Sequence, residues 1–214
     1  MLATNPPIVQ RNPGKRLAVI PEWTVALKQG DRAIAVKGDL VWEPGSTALP
    51  WYGLAIVLAL LVVLIVRSAA WAPGVAAVTG VLVAVDVFHN VGLGLANAGG
   101  LGYRLEKAIT QSPFSPLGWA AGALAIVWLL RRRLDGLSVA ALAGLLIALL
   151  GGVGDATALS RSEVPFGFGA FLARLAVTAS IGLGFGLAVA AALRLAGVGM
   201  SPATTRKRVP AEVS

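Results

Sequence analysis

Apolar residues run almost unbroken through five stretches of the chain, near 50–66, 74–97, 114–130, 136–155 and 168–193. Each is roughly 17 to 25 residues long, enough to cross ~30 Å of hydrocarbon at ~1.5 Å per helical residue. The first, "LPWYGLAIVLALLVVLIV", opens with Trp51 and Tyr52 at interfacial depth and stops at Arg67. The first 49 residues have another rhythm. "RLAVI", "EWTVALK", "RAIAVK" and "DLVWEP" are short, rich in Val, Ile and Trp, and separated by Pro21, the Gly30-Asp31 pair and Gly38. That punctuation predicts consecutive β-strands, with Trp23, Val25 and Leu27 on one strand face and Leu40 and Trp42 on a later one. Trp23 and Trp42 are expected on a buried face. Three or four such strands are marginal unless something covers their apolar side. The pattern therefore predicts a mainly α membrane protein: a small β-rich segment over 1–49, a bundle of five transmembrane helices over 50–196, and a basic, disordered tail over 197–214.

Composition supports the membrane reading, with 57% hydrophobic and 13% charged residues and a mean hydropathy of +0.78. The net charge of +8 changes the picture less than its size suggests, because the basic residues sit at the ends of apolar stretches. They read as topological anchors, and no nucleic-acid partner is expected. If five spans alternate, Arg67, Arg131 to Arg133, Arg194 and Arg206 to Arg208 share one side, while Arg104, Lys107 and Arg161 face the other with the N-terminal segment. Positive charge is retained in the cytoplasm, so the N-terminus is expected outside and the C-terminus inside a bacterial plasma membrane. There are no cysteines, which excludes a disulfide framework and thiolate metal sites. "MLATNPPIVQRNPGKR" lacks the apolar core of a signal peptide. Two readings stay open: an intact short N-terminus, or a chain that starts late, its β-strands being the end of a truncated β-sandwich.

The second span carries the one concentration of polar chemistry. Within "VLVAVDVFHNVGLG", Asp86, the chain's only histidine His89, and Asn90 fall on one helical stripe, with Thr79 and Asn97 close to the same line. Ionisable groups inside a bilayer cost ~2.5–3.5 kcal/mol on insertion scales, so the stripe must face other helices or a wet cavity. Asp155 ends the fourth span, with Gly144 and Gly151 on its own face allowing close helix approach, and Arg174 enters the fifth span at similar depth. Asp86, His89, Asn90, Asp155 and Arg174 are therefore the candidate site residues, with Asp86 and Arg174 expected to pair across the bundle. Structural pairing of helices, a transport or proton-relay role, and metal binding all remain open for this cluster. The glycines of "GLGFGL" fit a helix-packing face through Gly182 and Gly186 better than a nucleotide fingerprint, since no strand precedes them. Neither a Ser-His-Asp set nor paired carboxylates can be assembled, so an enzyme is not expected, nor is a cofactor.

The order "PPIVQRNPGKR…EWTVALKQGDRAIAVKGDLVWEPG…LPW", ahead of several spans, resembles uncharacterised bacterial membrane proteins in which an extracytoplasmic, copper-resistance-like β-sandwich precedes a helical domain. The Asp-x-x-His of the second span and "GDATALSRSEVPF" extend the resemblance more loosely. It implies that the β segment is outside the cell. In copper-resistance proteins of that architecture the sandwich carries His and Met ligands, and here one His and two Met leave no ligand set, so no metal is expected. The leading expectation is an envelope membrane protein whose outer β segment is an interaction or sensing module. Its partners would be the lipid bilayer and another envelope protein or a second copy. The alternative is a small transporter or a proton or metal conductor using the outward-facing polar cluster.

Overall fold

The computed structural model describes residues 5–68 and 71–197; the expected basic tail, beyond Gly197, lies outside them. The described residues form α1 (Pro7–Arg11), β1 (Leu17–Gln29), β2 (Arg32–Trp42), α2 (Leu49–Arg67), α3 (Trp71–Leu95), α4 (Leu101–Thr110), α5 (Ser115–Leu130), α6 (Asp135–Leu146) and α7 (Ala170–Leu195). A π-helical stretch, Ile147–Val153, continues α6, and a 3-10 turn, Ala156–Leu159, comes after it.

Four helices are long and apolar enough to cross a membrane: α2, α3, α6 with its π extension, and α7. The expected third span is a 16-residue helix, α5, which meets α4 at a 74° bend, and only the pair together passes as a fifth crossing. At ~1.5 Å per residue α5 alone is about 24 Å long, short of the hydrocarbon thickness. On α2 only Ala55, Val62 and Val66 are buried, while Leu60 and Leu64 stand 58% and 62% exposed. A helix apolar on every side and packed on one suits a hydrocarbon solvent rather than water.

Small residues set the helix packing. A Cβ added at Gly144 would meet the Gly184 carbonyl at 2.7 Å, and one at Gly184 would collide with the Gly144 carbonyl, so α6 and α7 touch backbone to backbone. On the other side of α7, Gly182 and Gly186 lie against Ala55, Leu58, Ala59 and Val62 of α2. The helices thus approach through glycine and alanine, the usual route to close packing where lipid supplies no hydrophobic drive between helices. At the far end Arg194 donates to the Val66 carbonyl at 2.8 Å and lies over the Trp71 ring at 4.1 Å. A cation thereby caps the C-terminal carbonyls of α2.

The β segment is one long hairpin rather than three or four strands. "RLAVI" and "EWTVALK" are a single strand because Pro21 falls at a bulge, where the register shifts and its missing N–H costs nothing. Glu22, left-handed at φ 53°, donates its N–H to the Asp39 carboxylate at 2.8 Å instead of to the ladder. Gly38 does not break β2 either: it pairs with Trp23, whose indole lies where a Cβ would be, at 2.6 Å. The Gly30-Asp31 turn, with Gly30 at φ 60°, closes the strands, as a two-residue hairpin loop with glycine first requires.

Trp23, Val25 and Leu27 do share a face, opposite Gly38, Val36 and Ile34. That face is uncovered, however, with Trp23, Val25 and Leu27 at 37%, 47% and 51% exposure. Trp42 is half-buried, its indole N–H donating to the Pro13 carbonyl at 3.0 Å. The expectation of a buried Trp23 is overturned because two strands alone provide nothing to pack on it.

The hairpin is tied to the bundle at its base. Ser46 donates to the Leu159 carbonyl at 2.8 Å, Gly45 passes against the Ser160 carbonyl, and Ala48 and Trp51 pack with Leu159, Val177 and Ile181. The start of α2, the ends of α3 and of the π stretch, and the starts of α5 and α7 therefore share one end of the bundle, the hairpin end.

Candidate functional site

Asp86 and Asn90 occupy successive turns of α3, and His89 the position between, all three at 2% exposure or less. One Asp86 oxygen, Oδ2, accepts from the Trp119 indole at 2.7 Å and from the Asn90 amide at 3.2 Å. Asn90 also donates to the Asp86 carbonyl at 2.8 Å and to the Ser115 hydroxyl at 3.2 Å, so its two N–H groups are shared among three acceptors. Trp119 and Ser115 come from α5, so Asp86 and Asn90 tie α3 to α5 through neutral partners, Trp119 donating to Asp86 and Ser115 accepting from Asn90. The other oxygen, Oδ1, faces Gly151 of the π stretch, where an added Cβ would stand 2.5 Å from it. It has no hydrogen-bond partner among the described residues, and neither have His89 Nδ1 and Asn90 Oδ1.

His89 is held from the turn that follows the π stretch. Its Nε2 lies 2.9 Å from Asp155 Oδ2, with the imidazole side chain 3% and the carboxylate side chain 39% exposed. The π-helical turns explain why Asp155 reaches it. Each residue added to a helical turn rotates the remainder of the helix by about 100°, which redirects the end of the fourth expected span toward α3. With Nε2 engaged by the carboxylate, Nδ1 is the ring nitrogen left without a partner among the described residues. Phe166 stacks on the imidazole with centroids 5.7 Å apart, and Phe88 and Phe168 complete an aromatic lid. Gly92 is required beneath it, because a Cβ there would collide with the Phe166 ring, and Gly167 N–H bonds the Gly92 carbonyl at 2.8 Å. The loop before α7 is thereby pinned over α3.

Arg174 does not join the cluster. Its Nε and Nη2 donate to the carbonyls of Ala158 and Arg161 at 3.2 and 2.8 Å, and no Asp86–Arg174 ion pair occurs among the described residues. The expected pair fails because equal depth leaves the direction of each side chain around its helix open. A long guanidinium stem one turn inside α7 reaches back to the helix end. Arg174 instead clamps the loop beyond Asp155. The structure thus brings Asp86 and Asn90 together with Trp119 and Ser115, and His89 together with Asp155. Trp119 and Ser115 are functional neighbours that the sequence does not single out, because an aromatic or a hydroxyl near a span end is unremarkable there.

An open cavity of about 490 Å³ lies beside this cluster at the hairpin end, lined by residues that include Asn97, Gln111, Ser112, Phe114, Ser115 and Asp155. Two of its walls are therefore also partners of the buried groups: Asp155 holds His89, and Ser115 accepts from Asn90. No three His, Cys, Asp or Glu side chains converge for a metal among the described residues, so the His89–Asp155 pair is two donors short of a tetrahedral site. What the arrangement can do chemically is present a carboxylate to the cavity and hold an imidazole just behind it. Compared with protein-family models, with curated proteins and with solved structures, the chain matches none.

Proposed function

We propose that this chain is a non-enzymatic, multi-spanning protein of the bacterial plasma membrane, with five crossings, the N-terminus outside and the C-terminus in the cytoplasm. Its hairpin acts as an extracytoplasmic interaction or sensing module. The observation that carries this reading is the uncovered hairpin face of Trp23, Val25, Leu27 and Val36. A two-stranded ribbon is marginal in water, and a third strand or a second sheet on that face is what stabilises such a structure. The partner is therefore a protein with an apolar sheet face or a free strand edge, another envelope protein or a second copy of this chain. The attachment of the hairpin suits a sensing role. Glu43 holds Arg16 through an ion pair of 2.6 Å, Ser46 holds the Leu159 carbonyl, and that loop begins at Asp155, the partner of His89.

The experiment is site-specific photocrosslinking from Val36 in intact cells, in the parent and in a Val25→Glu, Leu27→Glu variant. A discrete adduct that disappears in the variant, with the detergent melting curve of the bundle unchanged, is the expected result. An unchanged crosslinking pattern would remove the hairpin face from any interaction.

The transporter or conductor reading draws on the His89–Asp155 pair beside an open cavity. Against it stands the other half of α3: between Trp71 and Asp86 its single polar side chain is Thr79, whose hydroxyl is already bonded to the Val75 carbonyl at 2.8 Å.

A further inference from the structure

The cavity at the hairpin end has an unbalanced inventory of hydrogen-bonding groups. Asn97 directs its amide N–H groups to the carbonyls of Leu93 and Gly94, at 2.9 and 3.2 Å, which fixes its oxygen as the acceptor for Gln111 Nε2 at 3.4 Å. Both Asn97 N–H groups and one of the two on Gln111 are therefore used internally. Gln111 Oε1 and Asp155 Oδ1 accept nothing from the described residues. The first turn of α5 offers an anion no free backbone donor. Pro116 has no N–H, Ser115 N–H bonds the Ser112 carbonyl, and the N–H groups of Leu117 and Gly118 both bond the Phe114 carbonyl. The carbonyl ends of α3 and of the π stretch, which carry partial negative charge, also border the cavity. Among its lining side chains the single ionisable group is Asp155.

From these donors and acceptors we infer that the cavity is a binding site for a small organic ammonium ion. An ammonium group has three donors and no acceptor. It complements Asp155 Oδ1 and Gln111 Oε1, while Leu93, Phe114 and Pro165 supply apolar walls for a short alkyl part. The volume of about 490 Å³ lies within the ordinary range for small-molecule sites, ~300–1,000 Å³. Asp155 is preoriented for the ligand because its other oxygen is held by His89, itself packed beneath Phe166. A ligand charge on Oδ1 is thereby transmitted to the imidazole through one carboxylate. A carboxylate or phosphate ligand would meet the like charge of Asp155, the single ionisable group of the lining. This site stands apart from the hairpin's partner, and it needs no route through the bundle.

The single histidine supplies the readout. The full chain, labelled with 15N-histidine in a neutral detergent, is titrated with n-butylammonium chloride at constant pH and ionic strength, and in parallel with sodium butyrate and with 1-butanol. Butylammonium is expected to move the His89 imidazole signals saturably, and butyrate and butanol are not. Asp155→Asn should weaken the response about tenfold or more, as loss of a hydrogen bond to a charged group does. Gln111→Leu, which leaves the Asp155–His89 pair intact, should weaken it severalfold. A saturable response equal for butanol would make the cavity merely apolar and overturn the inference, as would an absent response to butylammonium. Should Asp155→Asn fail to fold, Gln111→Leu decides: unchanged affinity contradicts the site.

Discussion

At the scale of single residues, the chemistry turns on which groups surround one buried carboxylate. Trp119→Phe keeps an aromatic side chain, though a smaller one, and deletes the N–H that Asp86 Oδ2 accepts at 2.7 Å. Leaving a buried acceptor short of a donor costs about 1–3 kcal/mol, more for a charged group, so thermal unfolding in detergent should shift down accordingly. Contact also predicts non-additivity. Asp86→Asn combined with Trp119→Phe should destabilise by less than the sum of the single changes, whereas Asp86→Asn with Arg174→Gln should be additive, the reverse of what equal depth suggests. The sequence shows Asp86, His89 and Asn90 as exceptions because polar groups in an apolar run need a reason. It hides Trp119 and Ser115, since a tryptophan or serine near a span end has an ordinary explanation there. The aim of Arg174 depends on the loop it clamps, and loop conformation has no periodic signal.

Elements show the same division between what periodicity reports and what neighbours decide. The strand rhythm of the N-terminal segment is plain, but Pro21 and Gly38 look like breaks until the partner strand is known: one is absorbed by a bulge, the other covered by Trp23. Asp39→Ala removes the acceptor of the Glu22 N–H. It should loosen the bulge by about 1 kcal/mol, seen as faster amide exchange around Pro21 and unchanged exchange in α2 and α7. Gly92→Ala is expected to act more strongly, because its Cβ would occupy the Phe166 ring position. The loop over 160–169 should detach from α3 and become protease-sensitive, and protection equal to the parent would contradict the pinned-loop description. The expected spans agree closely with α2, α3 and α7 because length and apolarity alone define them. The amphipathic α4 lies between the expected spans, where a ten-residue mixed pattern is too short and too polar to register as one. The π turns of the fourth span are set by backbone register, to which hydropathy is blind.

For the whole molecule, the hairpin, the Asp155–His89 pair and the cavity share one end of the bundle, while Arg67, Arg131 to Arg133 and Arg194 lie at the ends of α2, α5 and α7 that face the other way. Those five arginines at the end opposite the hairpin, against Arg104, Lys107, Arg161 and Arg174 in the helical part of the hairpin end, are the basis of the proposal that the hairpin lies outside the cytoplasm. The central claim is that hairpin and cavity look out of the cell together, and a chain without cysteine permits a direct measurement. Single cysteines at Gln29, Gln111 and Leu134, all exposed, are treated in intact cells with a membrane-impermeant thiol reagent and again after permeabilisation. The account predicts labelling at Gln29→Cys and Gln111→Cys in intact cells, and at Leu134→Cys only once the membrane is opened. Labelling of Leu134→Cys in intact cells with Gln29→Cys and Gln111→Cys protected would contradict it.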